Sequence, residues 1–276
     1  DDNNCIDDIS ATTTHPDSLY IAYTLTNFNG YNVSCFGDNN ATVDVQINGG
    51  TASFTHYFNG GVITNNLIQN LGAGTYIDSI VDAKGCISTE TIALTEPSQI
   101  LSTPTITNVS CYDSANGSIS VTATGGTPLH QYSINGTATW SSLNTFAGLS
   151  PGTYTIYIQD NNDCLDTIEG TITEPTAIVI NFDSSTNVTV YGGNDGAIFT
   201  SAYGGTGSFT YQWTGPNLFS ASTLNISNLV AGTYYLTATD SALCSAIDSF
   251  VVTQPPSLTA SLDSAINLSC NGICTG

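Results

Sequence analysis

The segment T-Y-T-I-Y-I-Q-D, residues 153–160, alternates between apolar and polar side chains, and S-I-S-V-T-A-T, residues 118–124, shows the same period. A period of two places successive side chains on opposite faces of a strand, so both segments predict half-buried β-strands. Thr, Val, Ile and Tyr fill such segments, and Gly, Asn, Asp and Pro separate them. We therefore predict no helix in this part of the chain. The seven short strands that we predict are 101–109, 118–124, 130–134, 138–141, 143–147, 153–160 and 166–173.

Four signatures recur in the same order about eighty residues apart. They are a proline eleven residues after a cysteine, a Gly-Gly pair, a G-T-Y triplet, and an aspartate eight residues after the glycine of that triplet. The cysteine and proline pairs are Cys5/Pro16, Cys86/Pro97, Cys164/Pro175 and Cys244/Pro255, and the glycine pairs are Gly49-Gly50, Gly125-Gly126 and Gly204-Gly205. The triplets begin at Gly74, Gly152 and Gly232, and the aspartates are Asp82, Asp160 and Asp240. Self-similarity at a fixed long period indicates stacked copies of one unit.

The period predicts the domain organisation. The predicted segments are the tail of a preceding repeat at 1–16, whole repeats at 17–97, 98–175 and 176–255, and the start of a following repeat at 256–276. We expect a window of a longer array, with anchor and secretion signals outside it.

The predicted fold class is all-β. Seven short strands per unit fit an immunoglobulin-like β-sandwich, similar to PKD and fibronectin III modules, and L-S-P-G-T-Y at 149–154 is typical of the corner before its sixth strand. Proline fixes the chain in the short linkers between units, so we expect the tandem sandwiches to form an extended rod.

The charge balance excludes several classes of partner. Lys84 is the only lysine or arginine against 22 acidic residues, giving a formal net charge of -21 with histidine neutral. Nucleic acid is excluded, because binding it requires Lys and Arg to neutralise phosphates. No stretch approaches the 18 consecutive apolar residues of a membrane span, so we expect no membrane insertion in this segment.

The repeats resemble a known family. N-G-S-I-S-V-T-A-T-G-G-T-P at 116–128, Y-S-I-N-G at 132–136 and L-S-P-G-T-Y-T-I-Y-I-Q-D-N-N-D-C at 149–164 are similar to the SprB-type repeat. That resemblance implies very large cell-surface gliding adhesins of Bacteroidota that form filaments and are exported by type IX secretion. It also implies an extracellular location at the bacterial cell surface. The pattern weakens where Val190 replaces the leading cysteine and where Asn40-Ala41-Thr42 replaces N-G-S.

The eight cysteines predict disulfides in an oxidising compartment. Each repeat has an early cysteine (Cys35, Cys111, Cys270) and a late one (Cys86, Cys164, Cys244), while Cys274 is extra. Pairing within a repeat gives Cys35–Cys86 and Cys111–Cys164. Five predicted strands separate the last two cysteines, which places them at opposite ends of a sandwich, too far apart to bond. The count therefore favours the inter-repeat pairs Cys35–Cys164 and Cys111–Cys244, and one miscounted strand would reverse it.

Acidic loops at the repeat junctions suggest structural Ca²⁺ as the one candidate cofactor, because flexible oxygen ligands suit that ion. The candidate ligands are Asp38, Glu96, Asp160 and Asp163 at the first junction, and Asp113, Glu174 and Asp240 at the second. The alternative is that Asp and Asn occur there because they form turns.

The family resemblance also implies O-glycosylation. Asp followed by Ser or Thr and a small or apolar residue is similar to the acceptor motif of Bacteroidota. The candidate acceptors are Ser18, Ser79, Ser114, Thr167, Ser241 and Ser264.

The sequence predicts no enzyme, because no histidine recurs in a fixed relation to a serine or cysteine. His56 and His130 lie where other repeats have aromatic residues, and His15 lies in a linker. We therefore expect a non-catalytic stalk that contacts adjacent repeats and an external surface or polysaccharide. The alternatives are an array of carbohydrate-binding modules, with Trp140 and Phe219 as stacking candidates, or a spacer within a secreted enzyme.

Overall fold

The computed structural model describes residue 11 and residues 15–263. Two compact units are present. The first comprises the described residues up to Thr107 together with Ser118–Ala147 and Gly152–Thr171, and the second comprises Asn108–Gly117, Gly148–Pro151 and the described residues from Ile172 on. Across the described part of the chain, no helix has both the length and the apolarity needed to span a bilayer.

The first predicted repeat forms two antiparallel sheets, with strand orders β1-β2-β5 and β4-β3-β6-β7. Its strands are β1 Tyr20–Leu25, β2 Ala41–Asn48, β3 Thr55–Phe58, β4 Gly61–Ile63, β5 Leu67–Leu71, β6 Gly74–Val81 and β7 Ile87–Leu94. Alternate side chains of both sheets meet in one buried cluster that includes Val43, Val45, Ile80 and Ile92. The two sheets therefore form a sandwich with an apolar interior.

The second predicted repeat also forms two sheets, with orders β11-β9-β8 and β10-β12-β13. Its strands are β8 Leu101–Thr107, β9 Gly117–Thr124, β10 Gln131–Ile134, β11 Thr145–Leu149, β12 Gly152–Gln159 and β13 Leu165–Ile172. A Cβ atom added at Gly170 would lie 2.9 Å from the side chain of Ile119. The glycine thus lets β13 pack closely over β9 across the interior.

The third predicted repeat forms sheets of order β14-β15-β18 and β17-β16-β19-β20. Its strands are β14 Val179–Thr186, β15 Gly196–Tyr203, β16 Thr210–Gly215, β17 Phe219–Ala221, β18 Ile226–Leu229, β19 Gly232–Thr239 and β20 Ser245–Val252, with a short 3-10 turn at Pro216–Leu218. Its buried cluster includes Trp213, Tyr234, Leu236 and Phe250. No residue of this cluster, or of the cluster in the first repeat, lies beyond the limits predicted for its repeat.

The all-β, immunoglobulin-like class is confirmed, and the G-T-Y triplet has a clear structural role. The Tyr76 hydroxyl donates a hydrogen bond to the Gly72 carbonyl (3.1 Å), and the Tyr234 hydroxyl donates one to the Val230 carbonyl (3.0 Å). Each tyrosine thus ties its strand to the turn four residues upstream, as in the tyrosine corner of immunoglobulin-like domains.

The strand predicted at 138–141 is wrong as a continuous strand. The structure has only an isolated bridge between Tyr132 and Ser141 there. In the other repeats the equivalent segments are the paired strands β4 and β17, of three residues each. The chain still crosses at this point in all three repeats, so the number of crossings used to place the cysteines is unchanged.

Candidate functional site at the repeat junctions

The turn that carries each late cysteine, here called the late turn, is held by one aspartate. One oxygen of Asp160 accepts hydrogen bonds from the backbone N–H groups of Asn162 (2.8 Å) and Cys164 (3.0 Å), and the other accepts one from Thr127 (2.7 Å). Asp82 makes the same three bonds at the late turn 82–86, as does Asp240 at 240–244. The recurring aspartate therefore fixes the backbone that presents the cysteine.

These hydrogen bonds change the acidity of the aspartates. Burial alone would raise the pKa of Asp82 and of Asp240, but the backbone N–H donors outweigh it and hold each pKa below its usual value. Both carboxylates therefore remain ionised well into mildly acidic solution.

Cys164, on the late turn of the second repeat, is bonded to Cys35 of the first repeat, with Cα atoms 5.6 Å apart. Cys35 lies between β1 and β2, in what we call the early turn. This bridge spans 129 residues and is one of the two inter-repeat pairs that strand counting favoured. In the described residues the within-repeat alternative is not formed, and Cys86 is an exposed free thiol.

A polar clasp surrounds this first bridge. The Asn162 side-chain amide donates hydrogen bonds to the carbonyls of Phe28 (3.2 Å) and Ser34 (3.1 Å). Asn29 in turn donates to the side-chain oxygen of Asn162 (2.6 Å) and to the Asn161 carbonyl (3.3 Å). Two asparagines thus join the early turn of one repeat to the late turn of the next.

Sequence reasoning missed this clasp, although it has a sequence signal. Thr26 and Asn32 are separated by five residues, 27–31, whereas the equivalent Thr107 and Asn108 are adjacent. The insertion closes on itself, because the Thr26 hydroxyl donates to the Asn32 carbonyl (2.9 Å) and Asn32 donates back to the Thr26 carbonyl (3.0 Å). This closed loop carries Asn29.

The second bridge joins Cys111 to Cys244, again with Cα atoms 5.6 Å apart, over a separation of 133 residues. Its late turn has Ala242 where the first junction has Asn162. An alanine side chain cannot donate a hydrogen bond, so this junction has no clasp. The disulfide is the principal tie between its two turns.

Each early turn is also fixed to the linker that leaves its own repeat. The N–H of Gly37 donates to the Glu96 carboxylate (2.7 Å), and the N–H of Asp113 donates to Glu174 (2.7 Å). Gln254 accepts the N–H of Gly192 in the same way (2.9 Å). The residue before each linker proline therefore orients the linker against its repeat.

A groove lies beside each bridge, of about 420 Å³ at the first and about 390 Å³ at the second. One wall is an exposed aromatic residue directly after the early cysteine, Phe36 in the first groove and Tyr112 in the second. The lining also contains a linker proline and an isoleucine, Pro97 with Ile100 or Pro175 with Ile178.

The structure does not gather the predicted calcium ligands into a metal site. Among the described residues, no group of three or more His, Cys, Asp or Glu side chains is placed to hold a metal ion. Glu96, Glu174, Asp160 and Asp240 instead accept the backbone N–H bonds given above. Asp38 accepts a bond from the Ser34 hydroxyl (3.1 Å), Asp163 accepts one from Gln159 (2.6 Å), and Asp113 lies in the early turn. These contacts favour the turn-forming role, and calcium binding stays a prediction.

The predicted glycosylation acceptors have different exposures. Ser18, Thr167 and Ser241 are exposed, Ser79 and Ser114 are partly buried, and Ser264 lies outside the described residues, as do Cys5, Cys270 and Cys274. Their occupancy stays a prediction. Of the two glycan-stacking candidates, Trp140 is partly buried and Phe219 packs edge-on against Tyr234, with ring centroids 5.2 Å apart. Phe219 is therefore engaged by the core.

A buried polar cluster in the first repeat was also missed. His56 Nε2 lies 2.5 Å from Asp78 Oδ1, and both side chains are almost wholly buried. The Tyr23 hydroxyl, His56 Nδ1 and Asp78 Oδ2 are buried without hydrogen-bond partners. Burial raises the pKa of Asp78 despite the hydrogen bond with His56, and burial with the nearby Asp78 and Glu90 carboxylates raises the pKa of Tyr23. His130 makes a simpler contact, with Nε2 2.9 Å from the Gly125 carbonyl oxygen.

The fold and the junctions together define a protein of tandem β-sandwich repeats whose neighbours are covalently joined by disulfides. The SprB repeat model matches residues 28–62, 103–139 and 183–218, once in each predicted repeat. The chain therefore contains three SprB-type repeats. No curated protein sequence matches it.

Several solved structures align with this chain at low sequence identity. The three N-terminal domains of the bacteriophage RB49 Highly Immunogenic Outer Capsid protein align over 87% of this chain and 100% of theirs, with 12% identity and a TM-score of 0.39. Domains 3–5 of Drosophila OTK align over 72% of this chain and 85% of theirs, with 15% identity and a TM-score of 0.26. The N-terminal eight Ig domains of the Down Syndrome Cell Adhesion Molecule align over 76% of this chain and 30% of theirs, with 12% identity and a TM-score of 0.31.

Proposed function

We propose that the chain is a non-catalytic stalk segment of a large secreted adhesin on a bacterial cell surface, used in attachment or gliding motility. The observation that carries the proposal is the pair of disulfides that link successive SprB-type repeats. Disulfides are typical of proteins outside the reducing cytosol, which supports an extracellular location. Repeat arrays of this kind act through their length and their surfaces rather than through one reactive centre.

The bridges overlap in a way that suits a load-bearing tether. A covalent path along the chain can cross from Cys35 to Cys164, return through the second repeat to Cys111, and cross to Cys244. Tension then bypasses most of the first and third repeats and acts on the segment between Cys111 and Cys164. A stalk cross-linked in this way resists extension even when its sandwiches unfold.

Pulling on single molecules from both termini tests the mechanical part of this proposal. With the bridges intact, the released length should stay limited by the bypass. After reduction, each repeat of about eighty residues should release roughly 270 Å, the length of an extended chain of that size, less the end-to-end length of the folded repeat. Equal released lengths before and after reduction would contradict the bypass.

The adhesive part is tested in the producing bacterium. A strain whose adhesin has Ser at Cys35, Cys111, Cys164 and Cys244 should display the protein but detach sooner under flow or glide more slowly. An unchanged phenotype, together with an unchanged phenotype after in-frame removal of residues 17–255, would reject the proposal.

A second candidate function, carbohydrate binding, is favoured by one observation. An aromatic residue follows the early-cysteine position in all three repeats, and Phe36, Tyr112 and Tyr191 are 54%, 57% and 61% exposed. Exposed aromatic faces beside a groove can stack on sugar rings. Binding of the whole chain to an array of bacterial and algal polysaccharides, lost in F36A/Y112A, would support this function, whereas no binding by the native chain would remove it.

A further inference from the structure

The late turn of the first repeat matches the two bridged late turns in its hydrogen bonds. The N–H of Asp82 donates to the Cys86 carbonyl (3.0 Å), as Asp160 does to Cys164 (3.0 Å) and Asp240 to Cys244 (2.9 Å). The Asp82 carboxylate accepts the same three backbone bonds as its two counterparts. The cysteine-bearing end of the first repeat is therefore built in the conformation that the other two repeats use for bonding.

The surface beside this turn is built alike as well. A Cβ atom added at Gly50 would lie 3.3 Å from Asp82 and 3.0 Å from Leu19. The equivalent Gly126 faces Asp160 and Ile100, and Gly205 faces Asp240 and Ile178, each at 2.7–2.9 Å. In those repeats the surface contributes to the groove at a bridged junction, whereas in the first repeat its cysteine is exposed.

The local charge indicates what this surface binds. Lys84, the only lysine or arginine of the chain, occupies the position of Asn162, whose amide donates to two carbonyls of the early turn that it meets. The early turns carry Asp38 or Asp113, and the linker carboxylate of Glu96 or Glu174 accepts a backbone N–H of the same turn. A lysine at this position can therefore donate to the carbonyls and attract the carboxylates of such a turn.

We infer that the late turn of the first repeat receives the early turn of a preceding SprB-type repeat of the same protein, and that Cys86 forms a disulfide with its cysteine. The expected partner carries an Asn-Val-Ser-Cys segment like residues 32–35 and 108–111. The inference depends on how repeats pack and not on adhesion, so it can fail while the proposed function stands.

The bond requires a disulfide oxidant, such as glutathione disulfide. The Cys86 thiolate attacks one sulfur of glutathione disulfide, forms a mixed disulfide and releases one glutathione thiolate. The thiolate of the incoming cysteine then attacks the Cys86 sulfur and releases the second. Two protein thiols are oxidised, and one glutathione disulfide is reduced to two thiols.

The test adds a preceding repeat to the whole chain. Because Asp1 and Cys5 have the spacing of Asp160 and Cys164, residues 98–159 joined to Asp1 complete one repeat with the native 1–16 segment. The extended chain is refolded in a glutathione redox buffer, alkylated, and mapped without reduction by mass spectrometry after combined Asp-N and Glu-C digestion, because cleavage after Glu90 and Glu96 separates Cys86 from the native Cys111. We expect a peptide that links the added copy of Cys111 to Cys86. We also expect Cys86 to be alkylated in the original chain, where it is a free and exposed thiol, and not in the extended one.

Two control chains separate the outcomes. Ser at the added early cysteine should restore alkylation of Cys86. Resistance to protease shows whether the first added repeat has folded. If it has not, a second extension, residues 17–81 joined to Asp1, supplies the early turn of Cys35 instead. The inference is overturned if Cys86 stays alkylatable beside a folded added repeat while Cys35–Cys164 and Cys111–Cys244 form. A concentration-dependent link from Cys86 to Cys270 would identify a second copy as the partner and would also overturn it.

Discussion

The first and third repeats share a backbone plan but place their polar contacts differently. The interior of the third repeat is apolar, with Trp213 and Leu236 fully buried. The first repeat has Asp78 at the position of Leu236 and pairs it with His56. A buried polar pair contributes less than well-packed apolar side chains, because the desolvation of both groups offsets their attraction.

At the junctions the first repeat has the more extensive contacts. The first repeat meets its neighbour through a disulfide and the Asn29–Asn162 clasp, whereas the third meets its neighbour through a disulfide beside Ala242. The late-turn aspartate and its cysteine are the same in both. The repeat plan therefore fixes where neighbours are bonded, while interior and clasp vary independently. The first repeat combines a weaker core with a stronger junction.

The largest effect should come from breaking the buried pair. H56A or D78A leaves the other partner buried and unpaired, which should destabilise the first repeat by about 3–5 kcal/mol. Hydrogen exchange of β6 peptides measures this loss, and β19 peptides in the third repeat serve as an internal reference. The control H56Y/D78I takes the equivalent residues Tyr132 and Ile156 from the second repeat, and it should be neutral or stabilising. Equal losses in the single and double variants would contradict this account of the core.

Removing either disulfide should cost about 2–4 kcal/mol. The bridges close loops of 129 and 133 residues, so chain entropy predicts nearly equal costs for C35A/C164A and C111A/C244A. The local order that remains should differ, because only the first junction retains a clasp. Backbone amides at 98–100 should stay protected from hydrogen exchange in C35A/C164A, while those at 176–178 should lose protection in C111A/C244A. Equal loss at both linkers would show that the clasp contributes no order.

The clasp itself should contribute less than a disulfide. N162A removes side-chain hydrogen bonds and gives the first junction the alanine of the second, at an expected cost of about 1–2 kcal/mol. Deletion of residues 27–31, which reproduces the direct Thr-Asn step of the second repeat, should cost a similar amount. Thermal unfolding in the C35A/C164A background measures both. As a control, A242N should gain less than N162A loses, because the second repeat offers the carbonyl of Ser110 in place of that of Ser34 but has no inserted loop to supply the contacts of Phe28 and Asn29.

Most of the fold was predictable because it depends on local pattern. Period-2 alternation located the strands, and the G-T-Y triplet located the tyrosine corner. The inter-repeat pairing followed from counting chain crossings, although residues 138–141 make only one bridge. The chain still crosses the sandwich where the β-propensity is too weak to form a strand. The count of crossings therefore favoured the cysteine pairs that the structure has, Cys35–Cys164 and Cys111–Cys244.

The missed features depend on tertiary position. Asp78 has the same parity as Tyr76 and Ile80, so its inward direction was readable, but its pairing with His56 requires knowing that β3 lies beside β6. The inserted loop at 27–31 was visible as extra length, yet its contact with Asn162 depends on how two repeats meet. The junction carboxylates suggested a metal site because the sequence shows their charges. It does not show the backbone N–H groups that donate hydrogen bonds to them.

The smallest effect should be a difference in pH dependence between the two repeats. Asp82 and Asp240 both have lowered pKa values. Each therefore contributes stability that is present above the unfolded pKa near 3.9 and is lost in acid. Because this contribution is made in both repeats, it cancels when their stabilities are compared. Asp78 has a raised pKa, so its contribution is present below the unfolded pKa and is lost as pH rises through the folded pKa. The first repeat should therefore lose stability relative to the third above about pH 4. Hydrogen exchange of β6 and β19 peptides across this range, corrected for intrinsic rates, measures the gap. H56Y/D78I should abolish its pH dependence, and a gap that stays constant in the native chain would show that Asp78 ionises equally in the folded and unfolded states.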